Sequence, residues 1–243
     1  MADLAVIVPT RGRPERFAEL VTSVHRTAVG SVEIWPGIDT DDPSDYLSPL
    51  RGLPGAEMIV GTRGGRRSLS AWTNDLAERA LDGLMGEPPR YLASLGDDHL
   101  PRTTAWDRTL IEAIETLPGG VGIAYGNDLL QGPDLPTAWV VSADLVRAVG
   151  WMMLPTCAHM YVDNAVLELG RAAGCIAYRP DVVIEHLHPA AGKAAWDDSY
   201  RASNAAARHQ ADRQAFDAWR GAGLAGDVAK VKALVEARST RCP

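Results

Sequence analysis

Cysteine is scarce in this sequence, and long apolar runs are missing. The three cysteines, Cys157, Cys175 and Cys242, form neither an even set nor a Cys-x-x-Cys pair, which predicts reduced thiols in a cytosolic protein. No apolar run approaches the ~20 residues needed to cross a bilayer. The first residues lack the charged, apolar and small-residue zones of a secretory signal. We therefore expect a cytoplasmic protein without a membrane span.

The overall composition is that of an ordinary globular protein. Of 243 residues, 46% are hydrophobic and 23% charged, which argues against wholesale disorder. The formal net charge of −7 argues against a broad nucleic-acid-binding face, although a local basic patch remains open. Without internal repeats or a linker, we predict one domain over residues 1–190 and a helical C-terminal arm over 191–243, packed on that domain.

Short apolar runs alternate with amphipathic stretches along the first half of the chain. Strands are predicted over residues 4–8, 32–38, 57–60, 91–95, 121–125, 137–141, 175–178 and 182–185. Helices are predicted to begin at Pro14, at Ser68 or Ser70, and at Thr103 or Thr104, and to cover 162–173 and the apolar positions between 228 and 235. This alternation predicts an α/β fold, with a mostly parallel sheet flanked by helices.

Charged residues follow the predicted strands, at the edge where open α/β sheets bind ligands. They are Arg11 and Arg13 after the first strand, Asp39, Asp41 and Asp42 after the second, Arg63, Arg66 and Arg67 after the third, and Asp97 and Asp98 after the fourth. Arginine side chains suit phosphate oxygens, and paired carboxylates suit a hard divalent cation that itself binds phosphate. The combination predicts a site for a metal ion and a diphosphate.

Each group also has a plainer interpretation. Asp41-Asp-Pro-Ser44 is consistent with a simple turn, the arginines with a solvated loop, and the Asp97–Asp98 pair with the start of a helix. Glu185-His-Leu-His188 ends a strand beside the acidic pair, which favours one of its histidines as a metal ligand. Both histidines share a strand face. Because Pro189 ends the pairing just after His188, His186 is favoured.

Four motifs, in this order, resemble GT-A-fold glycosyltransferases of the large family two. They are Val6-Ile-Val-Pro-Thr-Arg-Gly-Arg13, Gly96-Asp-Asp-His99, Tyr161-Val-Asp-Asn164 and Glu185-His-Leu-His188. The resemblance covers residues 4–190 and is greatest to short members from bacteriophages and actinobacteria. It implies a GT-A-like, Rossmann-like fold. It also implies a location in the host cytoplasm if a phage encodes the protein.

The resemblance implies a role for individual residues. The donor-binding residues implied are Pro9, Thr10, Arg11, Arg13, Asp39, Arg66, Arg67 and Asp97. Asp98, with His186 or His188, is implied to hold Mn²⁺ or Mg²⁺, and Asp163 is implied as the catalytic base. The activity implied is inverting transfer of a hexose or pentose from a nucleotide-diphosphate sugar, such as a UDP sugar, to an acceptor hydroxyl.

Two other functions stay open from the sequence. A dinuclear phosphoesterase needs Asp-x-His after the first strand and Gly-Asn-His in mid-chain, where this chain has Pro9-Thr-Arg11 and Gly126-Asn-Asp128. A non-catalytic nucleotide-sugar-binding protein would fit the reduced acidic motifs. Dinucleotide oxidoreductases and nucleoside triphosphatases are disfavoured because their glycine-rich motifs are missing. The acceptor is left open between a modified DNA base, a protein and a glycan.

Overall fold

The computed structural model describes residues 3–61, 63–83, 86–203 and 205–240. The strands are β1 (Leu4–Thr10), β2 (Val32–Asp39), β3 (Arg63–Gly64), β4 (Tyr91–Ser94), β5 (His99–Pro101), β6 (Ile123–Asn127), β7 (Trp139–Ser142) and β8 (Ile176–His186). The helices are α1 (Pro14–Thr27), α2 (Leu47–Leu50), α3 (Leu69–Leu81), α4 (Trp106–Glu115), α5 (Ala143–Val149), α6 (Val162–Ala173), α7 (Asp198–Ser203), α8 (Ala206–Ala222) and α9 (Leu224–Ser239).

The strands form one sheet in the order β3-β2-β1-β4-β7-β6-β8-β5. Pairing is parallel between β1 and β2, β1 and β4, β2 and β3, and β6 and β8. It is antiparallel where β7 joins β4 and β6, and where β5 joins β8. The predicted α/β fold with a mostly parallel sheet is therefore confirmed, with β7 and β5 as its antiparallel members.

The sheet separates two hydrophobic cores. Along β1, Ala5 and Ile7 belong to one core, while Leu4, Val6 and Val8 belong to the other. This division follows from the alternation of side chains along a strand. Helices α1 and α4 cover one face, and α3, α5, α6, α8 and α9 contribute to the core of the opposite face. Because both faces of β1 are buried, its side chains are apolar on both faces.

Several predicted elements differ from the structure in their extent. The strand predicted over 57–60 is a 3₁₀ turn, Ala56–Met58, followed by a single bridge from Ile59 to β2. The third strand is instead Arg63–Gly64, with two residues paired to β2. The strands predicted over 175–178 and 182–185 are one strand, β8, whose pairing with β6 shifts register near Gly126. Such a bulge lets one strand continue past a break in the pairing.

The turn after β4 also differs from the prediction. The sequence predicted no strand over residues 99–101 and a helix that begins at Thr103 or Thr104. Instead, β5 ends at Pro101, and α4 begins at Trp106 after Ala105 adopts a left-handed conformation, with φ of 61°. Proline is tolerated there because β5 is an edge strand. The extra strand matters for function, since it places His99 opposite β8.

The C-terminal helices α8 and α9 pack in the core that contains Ala5 and Ile7 of β1. Phe216 and Trp219 of α8 and Val231 of α9 are buried in it, and the ring of Trp219 lies edge-on to that of Trp151 at 5.9 Å. The predicted helical character of this region is confirmed, whereas the domain boundary near residue 190 stays a prediction. Within the described ranges, the protein has no helix that is both long and apolar enough to span a membrane.

Candidate functional site

The turn between β4 and β5 carries two adjacent carboxylates and a histidine. It begins at Gly96, whose N–H donates a 3.0 Å hydrogen bond to Nδ1 of His99. A Cβ atom at Gly96 would lie 2.5 Å from Oδ1 of Asp98 and 2.9 Å from the same histidine nitrogen. A side chain at this position would displace the Asp98 carboxylate and the His99 ring. Glycine therefore leaves room for Asp98 and His99 to lie together.

His99 and His186 are direct cross-strand partners of β5 and β8. Their rings are stacked, with centroids 4.1 Å apart. One ligand atom from each of Asp98, His99 and His186 lies within 4.8 Å of the other two. We refer to these three residues as the Asp-His-His cluster. It is the candidate metal site that the described part of the chain offers.

The donor atoms of the cluster fit a divalent cation. Asp98 Oδ1 lies 3.2 Å from His99 Nδ1, and its Oδ2 lies 3.5 Å from His186 Nε2. Nε2 of His99 and Nδ1 of His186 are buried and have no hydrogen-bond partner within the described ranges. One carboxylate and two imidazoles suit Mn²⁺ better than Mg²⁺, which favours sets of oxygen ligands. The arrangement can therefore hold a metal ion.

The cluster is charged even without a cation. Burial favours neutral His186, but the carboxylates of Asp128 and Asp98 outweigh it and raise the His186 pKa to about 9. Burial opposes ionisation of Asp98 as well, yet hydrogen bonding to His186 and His99 holds its pKa well below the usual range. The surroundings of His186 thus favour a positive charge, which is supplied by a proton on its ring. A metal ion would have to displace this proton in order to bind.

Asp97 faces away from the cluster toward β1. Its carboxylate accepts a 2.7 Å hydrogen bond from the hydroxyl of Thr10 and a 2.9 Å bond from Arg13. Burial and the charge of Asp98 outweigh the attraction of Arg13 and raise the Asp97 pKa to about 6. The two neighbouring acids therefore have separate environments, and Asp97 joins the residues that follow β1.

The arginines after β1 are paired with carboxylates. Arg13 forms two hydrogen bonds with Asp197, at 2.8 and 2.9 Å, in addition to its bond with Asp97. Arg11 bonds Asp39 and Asp41, each at 2.7 Å. A phosphate group would have to share or replace these partners. Two of the predicted donor-binding arginines therefore lie at the expected edge of the sheet, already bound to acids.

The remaining predicted donor residues surround the end of β2. Asp39 also accepts hydrogen bonds from the Trp72 indole, at 2.7 Å, and from the backbone N–H of Arg67, at 3.2 Å. The Arg67 guanidinium pairs with Asp75 at 2.7 Å. Arg66 is exposed in the loop after β3, and Pro9 lies in β1 opposite Gly37 of β2. The fold gathers Thr10, Arg13 and Asp97 into one network, and Arg11, Asp39 and Arg67 into its neighbour.

Asp163 lies in the first turn of α6 and is partly buried. Burial, with the charges of Asp128 and Asp98, outweighs the attraction of His186 and raises the Asp163 pKa to about 7. The structure therefore places this carboxylate within electrostatic reach of the cluster. A pKa near neutrality is the value that suits a general base.

His188 lies beyond the end of β8. His186 is the last residue of β8, and His188 lies in the following loop. His188 Nδ1 accepts a 3.1 Å hydrogen bond from the N–H of Ala190, and its ring centroid is 5.1 Å from that of His186. The structure groups His99, not His188, with Asp98 and His186. A metal-binding role for His188 stays a prediction.

Sequence reasoning missed three residues of the site. His99 was missed because β5 was not predicted. Asp128 follows β6 at the same edge of the sheet, so its position after a predicted strand was an available signal. Tyr200, whose hydroxyl bonds Asp98 at 2.7 Å, lies 102 residues further along the chain, and the local sequence gives no sign of that contact.

Comparison with known proteins identifies the fold. No protein-family model and no curated protein sequence matches this chain. A mannosyltransferase from Pyrobaculum calidifontis, solved with GDP-Man and Mn²⁺, is 13% identical and superposes with a TM-score of 0.59 over 99% of this chain and 86% of its own. TarS residues 1–349 from S. aureus, solved with UDP, is 10% identical, with a TM-score of 0.58 over 75% and 59%.

A third solved structure points the same way. Glucosyl-3-phosphoglycerate synthase from Mycobacterium tuberculosis, solved with Mn²⁺, UDP and glucosyl-3-phosphoglycerate, is 13% identical and has a TM-score of 0.50 over 76% of this chain and 72% of its own. Identities this low establish the architecture alone. The chain has the GT-A fold of these glycosyltransferases.

Proposed function

We propose that this chain is a divalent-metal-dependent glycosyltransferase. It transfers a hexose or pentose from a nucleotide-diphosphate sugar to an acceptor hydroxyl and inverts the anomeric configuration. The Asp-His-His cluster, with ligand atoms within 4.8 Å of one another, carries this proposal because it follows β4 of a GT-A fold. The complexes of similar structures with GDP-Man, UDP and Mn²⁺ support the choice of donor and metal.

The residues of the cluster would hold Mn²⁺ or Mg²⁺. Asp98 and His186 are the central ligands of the proposal, and His99 joins them by geometry. His188, whose ring centroid is 5.1 Å from that of His186, is proposed as a further ligand from the loop. When bound, the ion supplies Lewis-acid stabilisation of the negative charge on the departing diphosphate. Burial of the cluster strengthens this electrostatic effect by excluding water.

The donor is proposed to lie along the ends of β1 and β2. Thr10 and Asp97 offer a hydroxyl and a carboxylate to polar groups of the nucleotide sugar, beside Pro9 and Asp39. Arg11 and Arg13 lie next to them, and Arg66 and Arg67 approach from the loop after β3. Guanidinium groups suit phosphate oxygens and stabilise charge that develops in the transition state.

Asp163 is proposed as the general base. The acceptor oxygen forms a bond to the anomeric carbon while the bond from that carbon to the diphosphate oxygen breaks. The proton of the hydroxyl passes to the Asp163 carboxylate, and the bonding electrons leave with the diphosphate. Attack from the face opposite the leaving group gives inversion. A pKa of about 7 leaves much of Asp163 ionised at neutral pH.

The acceptor classes consistent with this proposal are a modified DNA base, a protein and a glycan. The net charge of −7 disfavours extensive contact with duplex DNA, while Arg201, Arg208 and Arg213 are proposed to form a local basic patch. The proposed place of action is the cytoplasm, that of the host if a phage encodes the chain. The proposed organisation is a transferase domain over 1–190 with a helical arm over 191–243.

A donor panel tests the proposal. The full chain is incubated with UDP and GDP sugars and Mn²⁺, and release of the nucleoside diphosphate is measured, with Asp163→Asn as the matched variant. We expect metal-dependent release from one class of donor and loss of release in the variant. Calorimetry that detects no nucleotide-sugar binding in the presence of Mn²⁺ would overturn the proposal. Donor binding without turnover would instead indicate a binding protein, and cleavage of simple phosphodiesters a phosphoesterase.

A further inference from the structure

Asp128 is a buried carboxylate directly behind the Asp-His-His cluster. It follows the last residue of β6 and is 3% exposed. Its Oδ1 accepts three hydrogen bonds from consecutive backbone N–H groups, those of Leu130 at 2.9 Å, Gln131 at 2.6 Å and Gly132 at 2.9 Å. Its Oδ2 accepts a 2.8 Å bond from the Thr137 hydroxyl. These four donors fix the carboxylate in one orientation.

The free side of this carboxylate faces His186. Oδ2 of Asp128 lies 3.7 Å from His186 Nδ1, an ion-pair distance slightly longer than a hydrogen bond. That nitrogen is buried and has no hydrogen-bond partner in the described part of the chain. The main chain is fixed as well, because the N–H of His186 donates to the carbonyl of Asp128 at 3.0 Å. Asp128 is thus the acceptor that Nδ1 approaches.

Each ring nitrogen of His186 therefore faces a carboxylate. Nδ1 faces Asp128, while Nε2 lies 3.5 Å from Asp98 Oδ2. An ionised carboxylate can only accept hydrogen bonds, so Asp128 keeps a hydrogen on Nδ1. A cation held by Asp98 would displace the hydrogen on Nε2, and the lone pair of that nitrogen would then face the cation. A histidine that binds a metal commonly donates its other ring N–H to such a carboxylate, which fixes both tautomer and ring orientation.

We propose that Asp128 is the positioning residue of this site, holding His186 in the tautomer and orientation that present Nε2 to a divalent cation beside Asp98. This inference rests on the metal-binding part of the proposed function. It adds a residue outside the cluster to which the sequence assigned no role. It also explains why a rigid, buried carboxylate lies behind a histidine and not in water.

Asp128→Asn distinguishes the positioning of His186 from the support that Asp128 gives to the turn after β6. Asparagine keeps an oxygen for the three backbone N–H groups, so the turn after β6 is retained. Its amide N–H would face His186 Nδ1 and favour the opposite tautomer, with hydrogen on Nε2. The same replacement behind a catalytic histidine in serine proteases produces the wrong tautomer. The variant therefore changes the proposed role while it preserves the fold.

Asp212→Asn is the matched control. Asp212 is also buried and accepts three consecutive backbone N–H groups, those of Ala158, His159 and Met160 at 2.8 to 2.9 Å. In the structure it supports the loop before α6 and forms no hydrogen bond or ion pair with His186 within the described ranges. Loss of a structural carboxylate should affect both variants similarly in thermal stability. Only Asp128→Asn should change metal affinity.

The measurement is Mn²⁺ affinity from the electron paramagnetic resonance signal of free Mn²⁺, with thermal unfolding of the same samples. We expect Asp128→Asn to weaken binding by about 10- to 100-fold, and Asp212→Asn to leave it close to the unmodified protein. Equal affinities of Asp128→Asn and the unmodified chain would overturn the inference and leave the proposed function standing. No Mn²⁺ binding by the unmodified chain would overturn the metal-dependent function itself.

A second variant decides the matter if Asp128→Asn does not fold. Thr137→Val removes the hydroxyl that fixes Oδ2 and keeps both the carboxylate and the turn. We expect weaker Mn²⁺ binding in the same direction, at an unfolding temperature close to that of the unmodified chain. Unchanged affinity in a folded Thr137→Val protein would overturn the inference, since the orientation of Asp128 would then be irrelevant to His186.

Discussion

The hydroxyl of Tyr200 donates a 2.7 Å hydrogen bond to Oδ2 of Asp98. The guanidinium of Arg13 lies 3.9 Å from the centre of the same tyrosine ring and pairs with Asp197, three residues before it. The start of α7 is therefore attached to both the Asp-His-His cluster and the network after β1. Asp197 and Tyr200 therefore cover part of the proposed donor site. The Tyr200 hydroxyl also binds the Asp98 oxygen that a metal ion would use.

Tyr200→Phe should strengthen metal binding. The substitution removes a hydrogen bond to a carboxylate, an interaction worth about 1.5–3 kcal/mol, so Asp98 becomes more available to a cation. We expect Mn²⁺ affinity to rise by up to about tenfold, allowing for partial retention of the bond in the metal complex. Tyr91→Phe is the control, because the hydroxyl of that buried tyrosine bonds the carboxylate of Glu115 instead. A weaker affinity of Tyr200→Phe would show that Tyr200 supports the metal site.

Asp98→Ala should abolish both activity and its dependence on metal. Asp98 is the carboxylate of the cluster, and its removal leaves two imidazoles without an anionic ligand. Donor binding is measured by calorimetry with and without Mn²⁺, beside turnover. Asp181→Ala serves as the control, since Asp181 is exposed and pairs with Arg179. Full activity of the unmodified enzyme in excess chelator would contradict the metal requirement.

Asp163→Asn should separate catalysis from donor binding. We expect donor affinity to stay within a few-fold and transfer to fall by ~10² or more, the usual effect of losing a general base. The base must be ionised, so the rate of the unmodified enzyme should rise as pH increases through about 7, the raised pKa of Asp163. This increase of the rate with pH should be absent in Asp163→Asn. Joint loss of binding and turnover would indicate a structural role.

Histidine substitutions should rank the proposed ligands. His186→Ala should weaken metal-dependent donor binding more than His188→Ala, because His188 Nδ1 already accepts the N–H of Ala190. His99→Ala should also weaken Mn²⁺ binding more than His188→Ala, as the grouping with Asp98 requires. Mn²⁺ titrations of the three variants compare them directly. A larger effect at His188 would mean that the loop after β8 rearranges when metal binds.

The metal-free protein should lose stability at alkaline pH. The folded pKa of His186 is about 9, against an ordinary value of 6.5. A raised histidine pKa contributes stability that is fully present below about pH 6.5 and is lost as pH rises through about 9. Unfolding temperatures between pH 7 and 9 should therefore fall, and His186→Gln should flatten the decline. If the unfolding temperature of His186→Gln falls as steeply with pH, a group other than His186 causes the loss of stability.

The fold was predictable to the extent that local pattern decides it. Continuous apolar runs such as Leu4–Val8 must be buried on both faces, and the spacing of Phe17, Leu20, Val21 and Val24 commits that segment to a helix. The same pattern also located the ends of the strands, and with them the edge of the sheet where charged residues were predicted. By contrast, β3 has two residues, Arg63 and Gly64. Its short pairing depends on β2, so no periodic signal identifies it.

That acids, arginines and histidines follow the strands of an α/β protein can be read from the sequence, because strand ends and polar turns are local features. Which of these residues meet depends on the fold of the whole chain. His99 joins His186 through antiparallel pairing of β5 with β8, and Asp128 and Tyr200 reach the cluster from elements distant in the chain. Contacts between distant segments depend on strand order and packing, and neither can be read from the residues around one position.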